Sequence, residues 1–332
     1  MNKRIKLLLL ALAAAASCGA AQAASSLNLG NYSVTATYGL DILNGTSGGI
    51  SGLEASGVAY AKDRNSLFFV GDEGTGVVEI SLTGKTLGYM NFDWSNTGSS
   101  KHDTEGITYL GNGQLVVGEE RLYDAYKFGY VNGGTATLSS NSVSLSNAYP
   151  VDNSGMEGIA YDPRNGGSYV AVKQESPEAV FSGTLSFGNQ LSGTANISTL
   201  FDASKLGLST LSDVAVLAPV DSLAGTAGAD NLLFLSLGSH SLVEADRQGN
   251  IISSFDLSNV LPHNAIEGVT VDEKGTIYLV AEQIQDGSAT GAVKSQLIVL
   301  SPTAAVPEPA SLSLMLMGGL GIAAAARRRK QR

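Results

Sequence analysis

The chain has 332 residues, of which 40 are glycine and one is cysteine, and charged side chains make up only 15% of it. Eight of its 20 Lys and Arg residues lie within residues 1–6 and 327–332, so residues 7–326 carry 12 basic and 30 acidic side chains, a formal net charge of −18. Such an acidic body repels phosphate backbones and anionic lipid, which argues against nucleic acid as a partner and favours cations or uncharged molecules. The glycine content and the low charged fraction are typical of a turn-rich β domain with one sizeable core.

The N-terminus predicts a secretory signal peptide over residues 1–23. A basic start (MNKRIK) precedes an apolar stretch (LLLLALAAAAS), and residues 21–23 fit the A-x-A pattern of a cleavage site. The apolar run is too short to favour a permanent transmembrane helix. Cys18 lies inside this leader, so cleavage after residue 23 leaves a chain without a disulfide, a Cys ligand or a Cys nucleophile. A lipid anchor at Cys18 is the second alternative, which the surrounding letters AASC support less well.

The C-terminus, residues 304–332, has three parts: Pro307, Glu308 and Pro309, then an apolar stretch over 310–326, then a basic tail. An apolar run of about 17 residues is at the short limit for crossing a bilayer, and the Arg cluster favours a cytoplasmic end. This order of parts resembles the PEP-CTERM sorting signal of Gram-negative bacteria that produce exopolysaccharide. The resemblance implies transient insertion in the inner membrane, cleavage by an exosortase, and delivery to the outer surface or the extracellular matrix. A plain C-terminal membrane anchor is the alternative.

Residues 24–303 contain one hairpin pattern five times. Each copy has a two-residue opening, an apolar strand, a turn and a second apolar strand, as in EGITYLGNGQLVVGEER, which begins at residue 105. The second residues of the copies are 49, 52, 55 and 55 positions apart: Gly57, Gly106, Gly158, Asp213 and Gly268. This period, without helical periodicity between the copies, fits units of four short antiparallel strands. The sequence therefore predicts an all-β fold, a β-propeller of five four-stranded blades.

The apolar pattern within a copy predicts where each strand lies in its blade. Strands one and two are nearly continuously apolar, as inner strands covered on both faces should be, whereas the outer strands alternate. The fifth copy lacks a fourth strand, and a spare alternating strand precedes the first copy at Asn31–Leu43. Pairing this strand with the fifth copy closes the ring and removes a free sheet edge. A solenoid, a β-sandwich and a sixth, irregular blade remain as alternatives.

The same topology predicts that acidic residues converge at one mouth of the central channel. Strands one and two are antiparallel neighbours, so the start of one lies beside the end of the other. The innermost strands of the five copies open with Ser56, Glu105, Glu157, Ser212 and Glu267. The residues that we expect around these openings are Asp72, Glu73, Glu120, Glu175, Asp213 and Glu282.

Carboxylates that converge in a channel repel one another unless something neutralises them. A hard divalent cation such as calcium, which accepts six to eight oxygen ligands, is one answer. The candidate ligands are Glu105, Glu157 and Glu267, with further oxygens from Ser56 and Ser212. The structural alternative is that each acid caps the turn into its strand or pairs with Arg121 or Lys173. The glycine after each acid indicates close approach of the backbones at a crowded axis.

The five openings, Ser-Gly, Glu-Gly, Glu-Gly, Ser-Asp and Glu-Gly, and the acids that end the second strands resemble the SdiA-regulated family of exported β-propellers. The similarity extends from about Leu53 to Pro302. It implies a propeller fold and a calcium ion in the channel, and no established reaction. The fourth copy departs from the family pattern, because Asp213 replaces glycine and SLGSHS stands where an acid is expected. This departure weakens the case for a ligand from that blade.

Two functions fit these expectations. In the first, the exported propeller is a binding or structural module of the exopolysaccharide matrix that contacts extracellular polysaccharide or surface proteins. Trp94 and Tyr123 could then stack on sugar rings, although packing between blades is the other use of such aromatics. In the second, the protein is a calcium-dependent hydrolase (a lactonase, an esterase or a phytase-like phosphoesterase) with His102 or His263 as proton acceptor. The sorting signal, the acidic surface and the scarcity of basic residues at the mouth favour the first.

Overall fold

The computed structural model describes residues 25–40, 54–72, 74–145, 155–175, 177–284 and 286–303. Over these residues the protein is all-β, with five sheets arranged as a β-propeller, so the predicted fold is confirmed. The predicted signal peptide, the sorting motif and Glu73 lie outside this part of the chain. Among the residues described, no helix is both long and apolar enough to span a membrane.

The strands, in chain order, are β1 (Tyr32–Gly39), β2 (Ala55–Ala61), β3 (Ser66–Gly71), β4 (Gly76–Ile80), β5 (Thr86–Asp93), β6 (Thr104–Gly111), β7 (Gln114–Glu119), β8 (Asp124–Gly129), β9 (Thr135–Thr137), β10 (Ser142–Ser144), β11 (Met156–Asp162), β12 (Ser168–Lys173), β13 (Ala179–Ser186), β14 (Thr194–Phe201), β15 (Asp213–Val216), β16 (Leu232–Ser236), β17 (Ser241–Ala245), β18 (Ile251–Asp256), β19 (Asn264–Val271), β20 (Ile277–Ile284) and β21 (Gln296–Pro302). Short 3-10 turns lie at Leu29–Asn31, Leu138–Ser140, Arg164–Gly166, Asn189–Leu191, Ala203–Leu206, Asp221–Leu223 and Ala227–Asp230.

Each blade runs outward from one innermost strand. From the axis outward, the strand orders are β2-β3-β4-β5, β6-β7-β8-β10, β11-β12-β13-β14, β15-β16-β17-β18 and β19-β20-β21-β1. The short strand β9 pairs in parallel with β5 and so adds a fifth strand to the outer edge of the first blade. Neighbouring strands within the four-stranded units are antiparallel, as hairpin connections require.

The ring closes as predicted, with the N-terminal strand at the outer edge of the last blade. β1 pairs antiparallel with β21, from Tyr32 opposite Pro302 to Gly39 opposite Gln296. The segment before β1 is fixed to the fourth blade, because the buried Glu244 carboxylate accepts hydrogen bonds from the N–H groups of Leu27 and Asn28 at 3.1–3.3 Å. The two ends of the domain are therefore held by backbone pairing and by one buried acid.

The second strand of a blade is apolar throughout because both of its faces are covered. In β3, Leu67 and Phe69 pack into the core shared with the fifth blade, whereas Phe68 and Val70 pack into the core shared with the second. All four side chains are at most 1% exposed. Burial of alternating side chains against two neighbouring blades explains the continuous apolar run that the sequence shows.

The innermost strands come unusually close to one another at the axis. A Cβ atom on Gly57 would lie 2.3 Å from the carbonyl oxygen of Glu105 in the next blade, and one on Gly106 would lie 2.8 Å from the amide nitrogen of Ile159. Only glycine fits such positions, because the atoms that a side chain would meet belong to backbone. The recurrent glycine of the repeats is thus a packing requirement at the junction between blades.

We expect Gly106→Ala to lower the free energy of unfolding by about 1–3 kcal/mol or more, because the added methyl group forces two inner strands apart. Urea denaturation measures this change. Gly39→Ala is the matched control, since its Cβ would meet Gln296 Nε2 at an ordinary 3.8 Å, and we expect a change between zero and about 1 kcal/mol of stabilisation. Equal effects of the two substitutions would contradict the close approach at the axis.

Candidate functional site

Four of the five inner strands carry a β-bulge at the residue that opens the repeat. In β2 the register with β3 shifts between Ala55 and Gly57, so Ser56 is the extra residue. The same shift occurs in β6, β11 and β19. The bulged residues are Ser56, Glu105, Glu157 and Glu267. A bulge leaves its extra residue out of the strand ladder and turns the side chain to a new direction, which here brings three acids toward the channel.

Asp72, Asp103 and Glu105 form the tightest group of acids in the part of the chain that the structure describes. Each offers a carboxylate oxygen, and these oxygens lie within 4.8 Å of one another. Asp72 follows β3 of the first blade, whereas Asp103 directly precedes β6 of the second blade and Glu105 is the second residue of that strand. Arg121 is the basic residue beside them: its Nε donates a hydrogen bond to Asp103 Oδ2 and lies 4.0 Å from Glu120 Oε2.

Glu120 and Glu157 extend the group toward the third blade. The Glu120 carboxyl shares hydrogen bonds with Asp103 and with Glu157, and Glu120 Oε1 accepts from the N–H of Gly155 at 3.3 Å. Both side chains are nearly covered, with 6% and 7% of their residues' surfaces exposed. Buried acids that hydrogen-bond to each other must share protons unless a cation is present.

A second group lies where the fifth blade meets the first. The Glu267 carboxyl is hydrogen-bonded to Glu282 and to Ser56, and it is repelled by Glu54. Glu267 also raises the pKa of Glu105 by repulsion, which connects the two groups. We use the name acid cluster for the eight carboxyl groups of both groups: Glu54, Asp72, Asp103, Glu105, Glu120, Glu157, Glu267 and Glu282. The acid cluster is an arc over the fifth, first, second and third blades.

The fourth blade contributes differently. Ser212 Oγ accepts a hydrogen bond from the N–H of Leu237 at 3.0 Å. The Asp213 carboxylate accepts from its neighbour Val214 N–H at 2.8 Å and from Val269 N–H of the fifth blade at 2.7 Å. Asp213, which replaces the glycine of the other repeats, therefore links two blades through backbone hydrogen bonds. Burial raises its pKa well above the ordinary value even though both N–H groups act to lower it.

Burial is the largest cause of the altered pKa values in the acid cluster, and repulsion between neighbours adds to it. Burial together with Asp103 raises the pKa of Glu120 to about 8, and burial together with Glu267 raises that of Glu282 to about 9. The pKa of Glu267 rises only to about 7, because hydrogen bonds from Glu282 and Ser56 offset part of the effect of burial. The pKa values of Glu105 and Glu157 also lie well above their ordinary range.

Asp103 is the exception within the acid cluster. Burial acts to raise its pKa, but hydrogen bonds from Asp72, Glu120 and Arg121 outweigh burial and lower it. Asp103 is thus the carboxylate that stays ionised while its neighbours hold protons. At neutral pH the acid cluster without a cation is a partly protonated network in which Asp103 stays ionised.

The two candidate proton acceptors have other partners. The His102 ring stacks on Trp94, with ring centroids 4.9 Å apart, and Trp94 Nε1 donates to the carbonyl oxygen of Gly74 at 2.7 Å. His263 Nδ1 lies 2.8 Å from Asp286 Oδ2 in an exposed pair. The first contact engages the face of the His102 ring, and the second engages Nδ1 of His263.

Both candidate sugar-stacking aromatics take part in packing. Tyr123 is only 2% exposed, so its ring is not available at the surface. Trp94 has one face against His102 and makes edge contacts with Phe92 and Tyr126. These contacts fit the packing alternative for both residues.

The third blade places an amide where the first two place an acid. The N–H groups of Asp72 and Glu120 donate to the carbonyls of Glu54 and Asp103, and Gln174 N–H donates to Gly155 in the same way. Gln174 is therefore the equivalent residue in the third blade. Glu175, which the sequence had suggested for this position, is exposed, and its carbonyl oxygen accepts a hydrogen bond from Lys173 Nζ.

Comparison with known families agrees with this architecture. The SdiA-regulated family matches residues 32–283, which is most of the chain. The chain belongs to the SdiA-regulated family. The PEP-CTERM protein-sorting motif matches residues 305–330, so this SdiA-regulated propeller carries a sorting signal for export and processing by an exosortase.

Solved structures resemble the chain only distantly. The Cps50 (Swd1) β-propeller domain of Myceliophteria thermophila is 12% identical with a TM-score of 0.37, and the match covers 80% of this chain and 73% of that one. A luciferin-regenerating enzyme is 12% identical with a TM-score of 0.45, over 76% of this chain and 92% of that one. Similarity at this level carries no information about function.

Two acids of this SdiA-regulated propeller are absent from the sequence-based prediction. Asp103 and Glu54 each stand two residues before the bulged residue, in HDTEG and LEASG. An acid at the same offset in two successive repeats is the signal that could have identified them. Their carbonyls pair with the end of the second strand, and this pairing sets the position of their side chains beside the channel.

We expect the free energy of unfolding of the cation-free protein to fall as the pH rises from about 5 to about 9. In the folded protein Glu267, Glu120 and Glu282 hold protons up to pH values of about 7, 8 and 9, whereas the ordinary value is 4.5. Folding therefore binds protons over this window, and their loss removes stability. Urea denaturation in chelator at several pH values measures the slope.

Glu282→Gln is the control for the pH dependence, because an amide cannot lose the proton that Glu282 gives up. The variant should show a shallower decline than the original protein over the same pH range. The raised pKa values would be contradicted if the free energy of unfolding in chelator rose with pH. They would also be contradicted if Glu282→Gln left the slope unaltered.

Proposed function

We propose that this exported SdiA-regulated propeller binds calcium at the acid cluster and acts as a binding or structural module of the extracellular polysaccharide matrix. The observation that supports the cation is the convergence of Asp72, Asp103 and Glu105, whose carboxylate oxygens lie within 4.8 Å of one another, with Asp103 buried and the other two half-buried. Eight acids with Arg121 as the neighbouring base leave an excess of negative charge that a divalent cation would neutralise.

The residues present fit calcium better than they fit other metals. The donors are carboxylate oxygens from four blades and the hydroxyl of Ser56, and hard oxygen ligands of this kind suit calcium, whereas zinc and copper prefer nitrogen and sulfur. Calcium also tolerates irregular geometry and a high ligand number. Asp103, Asp72 and Glu105 would hold the ion, and Glu157 and Glu267 are the next acids within the same arc. When bound, the ion supplies the positive charge that otherwise comes from shared protons.

The matrix role is supported by the sorting signal for export and by the oxygen-rich, acidic chemistry of the site. A cation held at a channel mouth offers remaining coordination positions to oxygen-rich ligands such as sugar hydroxyls and uronic carboxylates. The hydrolase alternative has less support, because the contacts that position His102 and His263 are with Trp94 and Asp286, which are not residues of the acid cluster. Arg121, the base beside the cluster, forms an ion pair with Asp103.

We expect added calcium to raise the melting temperature of the protein relative to chelator. At a concentration about 100 times the dissociation constant, binding by the folded form alone adds about 2.7 kcal/mol, or roughly 5–10 °C for a domain of this size. Glu105→Gln should remove this calcium-dependent shift. The same variant should melt higher than the original protein in chelator at neutral pH, because Gln is neutral without the proton that Glu105, buried beside Glu157 and Glu267, must take up on folding.

Glu175→Gln is the matched control for Glu105→Gln. It makes the same change of charge on an exposed acid, one that follows β12, the second strand of the third blade. This variant should keep the full calcium-dependent rise in melting temperature. Calorimetric titration with calcium checks the same variants directly. A calcium effect of equal size in both variants, or no calcium effect on the original protein, would contradict a cation at the acid cluster.

We expect the purified protein to cosediment with an acidic exopolysaccharide in calcium and to lose this binding in chelator. Glu105→Gln should bind at least fivefold less at the same calcium concentration, whereas Glu175→Gln should bind normally. Lactone and phosphoester hydrolysis is assayed on the same samples. Hydrolysis that requires calcium and is abolished by Glu105→Gln, without polysaccharide binding, would favour the hydrolase and contradict the matrix role.

A further inference from the structure

A cavity of about 400 Å³ lies at the opposite mouth of the channel from the acid cluster. The inner strands run from the acid cluster toward this cavity. Glu105 of the acid cluster and Tyr109 of the cavity wall, for example, lie on the same strand, β6, four residues apart. Four residues of extended strand span about 13 Å. The volume falls within the range of roughly 300–1,000 Å³ that is usual for small-molecule sites. The channel therefore ends in two sites of different chemistry.

The wall of the cavity has three layers, each with one residue from every blade. The innermost layer is Val58, Ile107, Ile159, Val214 and Val269. The middle layer is Ala59, Thr108, Ala160, Ala215 and Thr270. The outer layer is Tyr60, Tyr109, Tyr161, Val216 and Val271. None of these fifteen side chains is charged at neutral pH, and the innermost five separate the cavity from the acids.

The charged residues at the rim of the cavity are engaged elsewhere. Lys62 Nζ lies 3.6 Å from Asp221 Oδ1. Asp63 Oδ2 accepts hydrogen bonds from the hydroxyl of Tyr109 at 3.0 Å and from the N–H of Asn112 at 3.2 Å. A charged ligand would lose its hydration here and meet apolar walls, which is unfavourable. The cavity therefore suits an uncharged molecule.

The aromatic part of the wall is held in place before any ligand arrives. Tyr60 stacks on Tyr278 with ring centroids 6.3 Å apart, and Tyr109 stacks on Phe68 at 5.8 Å. The Tyr161 ring lies against Tyr169 at 5.1 Å. Side chains that are fixed by packing lose little conformational entropy on binding, which favours affinity for a rigid ligand.

Hydrogen bonds between blades hold the middle layer. Thr108 Oγ1 accepts from the N–H of Tyr161 at 2.9 Å, and Thr270 Oγ1 accepts from the N–H of Tyr60 at 3.1 Å. Each inner strand is also the edge of its sheet, with a neighbouring strand on one side only. The other edge presents backbone N–H and C=O groups to the channel, where they can position a polar group on a ligand.

We propose that this cavity binds a small uncharged molecule with a flat or alicyclic apolar body and one or two hydrogen-bonding groups. The layered apolar wall recognises the body, and backbone groups of the inner strands bind the polar substituent. The site is separate from the acid cluster, and its occupancy does not depend on a cation there.

The test uses an uncharged fluorescent probe, N-phenyl-1-naphthylamine, with the purified protein. Saturable binding of one probe per chain is expected, with an affinity that changes less than twofold between low and high salt because no ion pair forms. Tyr161→Ala should weaken binding about fivefold or more, since it removes an aromatic wall, whereas Tyr161→Phe should retain the affinity. Trp94 is the only tryptophan and lies near the acid cluster, so its emission reports on the cation site separately.

Lys62→Ala is the control at the rim, and we expect less than a twofold effect on the affinity for the probe. Absence of saturable binding would overturn the proposal, as would binding that Tyr161→Ala leaves unaltered. A large loss of affinity in Lys62→Ala would place the probe at the rim and overturn the assignment of binding to the apolar wall. If Tyr161→Ala does not fold, a structure of the original protein with the probe decides the matter, because density outside the cavity would also overturn the proposal.

Discussion

The close approach of five inner strands at the axis is the constraint on which the rest of the structure depends. Gly57, Gly106 and Gly268 each face backbone of the next blade at distances that leave no room for a Cβ atom. Because the strands are this close, the side chains at the openings of the repeats must share one small volume. The β-bulges then turn those residues toward the channel instead of into a blade. The acid cluster is the direct consequence of a tight ring built from repeats that open with glutamate.

This arrangement places electrostatic repulsion at the centre of the fold. The acids are too close and too buried to be ionised together, so the protein needs protons or a cation to hold them. Glu120 and Glu282, with pKa values raised to about 8 and 9, show how strongly the folded state favours protons there. Ionised acids at this site lower the stability of the folded protein. A bound cation therefore stabilises the folded protein strongly, because the ion removes the repulsion that folding creates. Stability and binding are therefore coupled at this mouth.

The five blades are similar in backbone but not in chemistry. In the fourth blade the inner strand begins at Asp213, and the Asp213 carboxylate accepts backbone hydrogen bonds from two blades. The acids consequently occupy an arc over the other four blades. Along the same inner strands, the chemistry changes from acids at one mouth to a layered apolar wall at the other within about 13 Å. One set of strands thus forms both sites, separated by a ring of buried β-branched side chains.

The sequence by itself determined the number of blades, their strand order and the strand that closes the ring. These features follow from local patterns: a fixed repeat spacing, alternation of apolar residues and hairpin turns, all of which act over a few residues. It also indicated that acids open three of the repeats. Only the tertiary structure decided that Asp103 and Glu54 join them, that Glu175 is exposed and Gln174 takes its place, and that His102 stacks on Trp94. The physical reason is that these outcomes depend on one-residue bulges and on contacts between blades some fifty residues apart, where a shift of a single residue redirects a side chain.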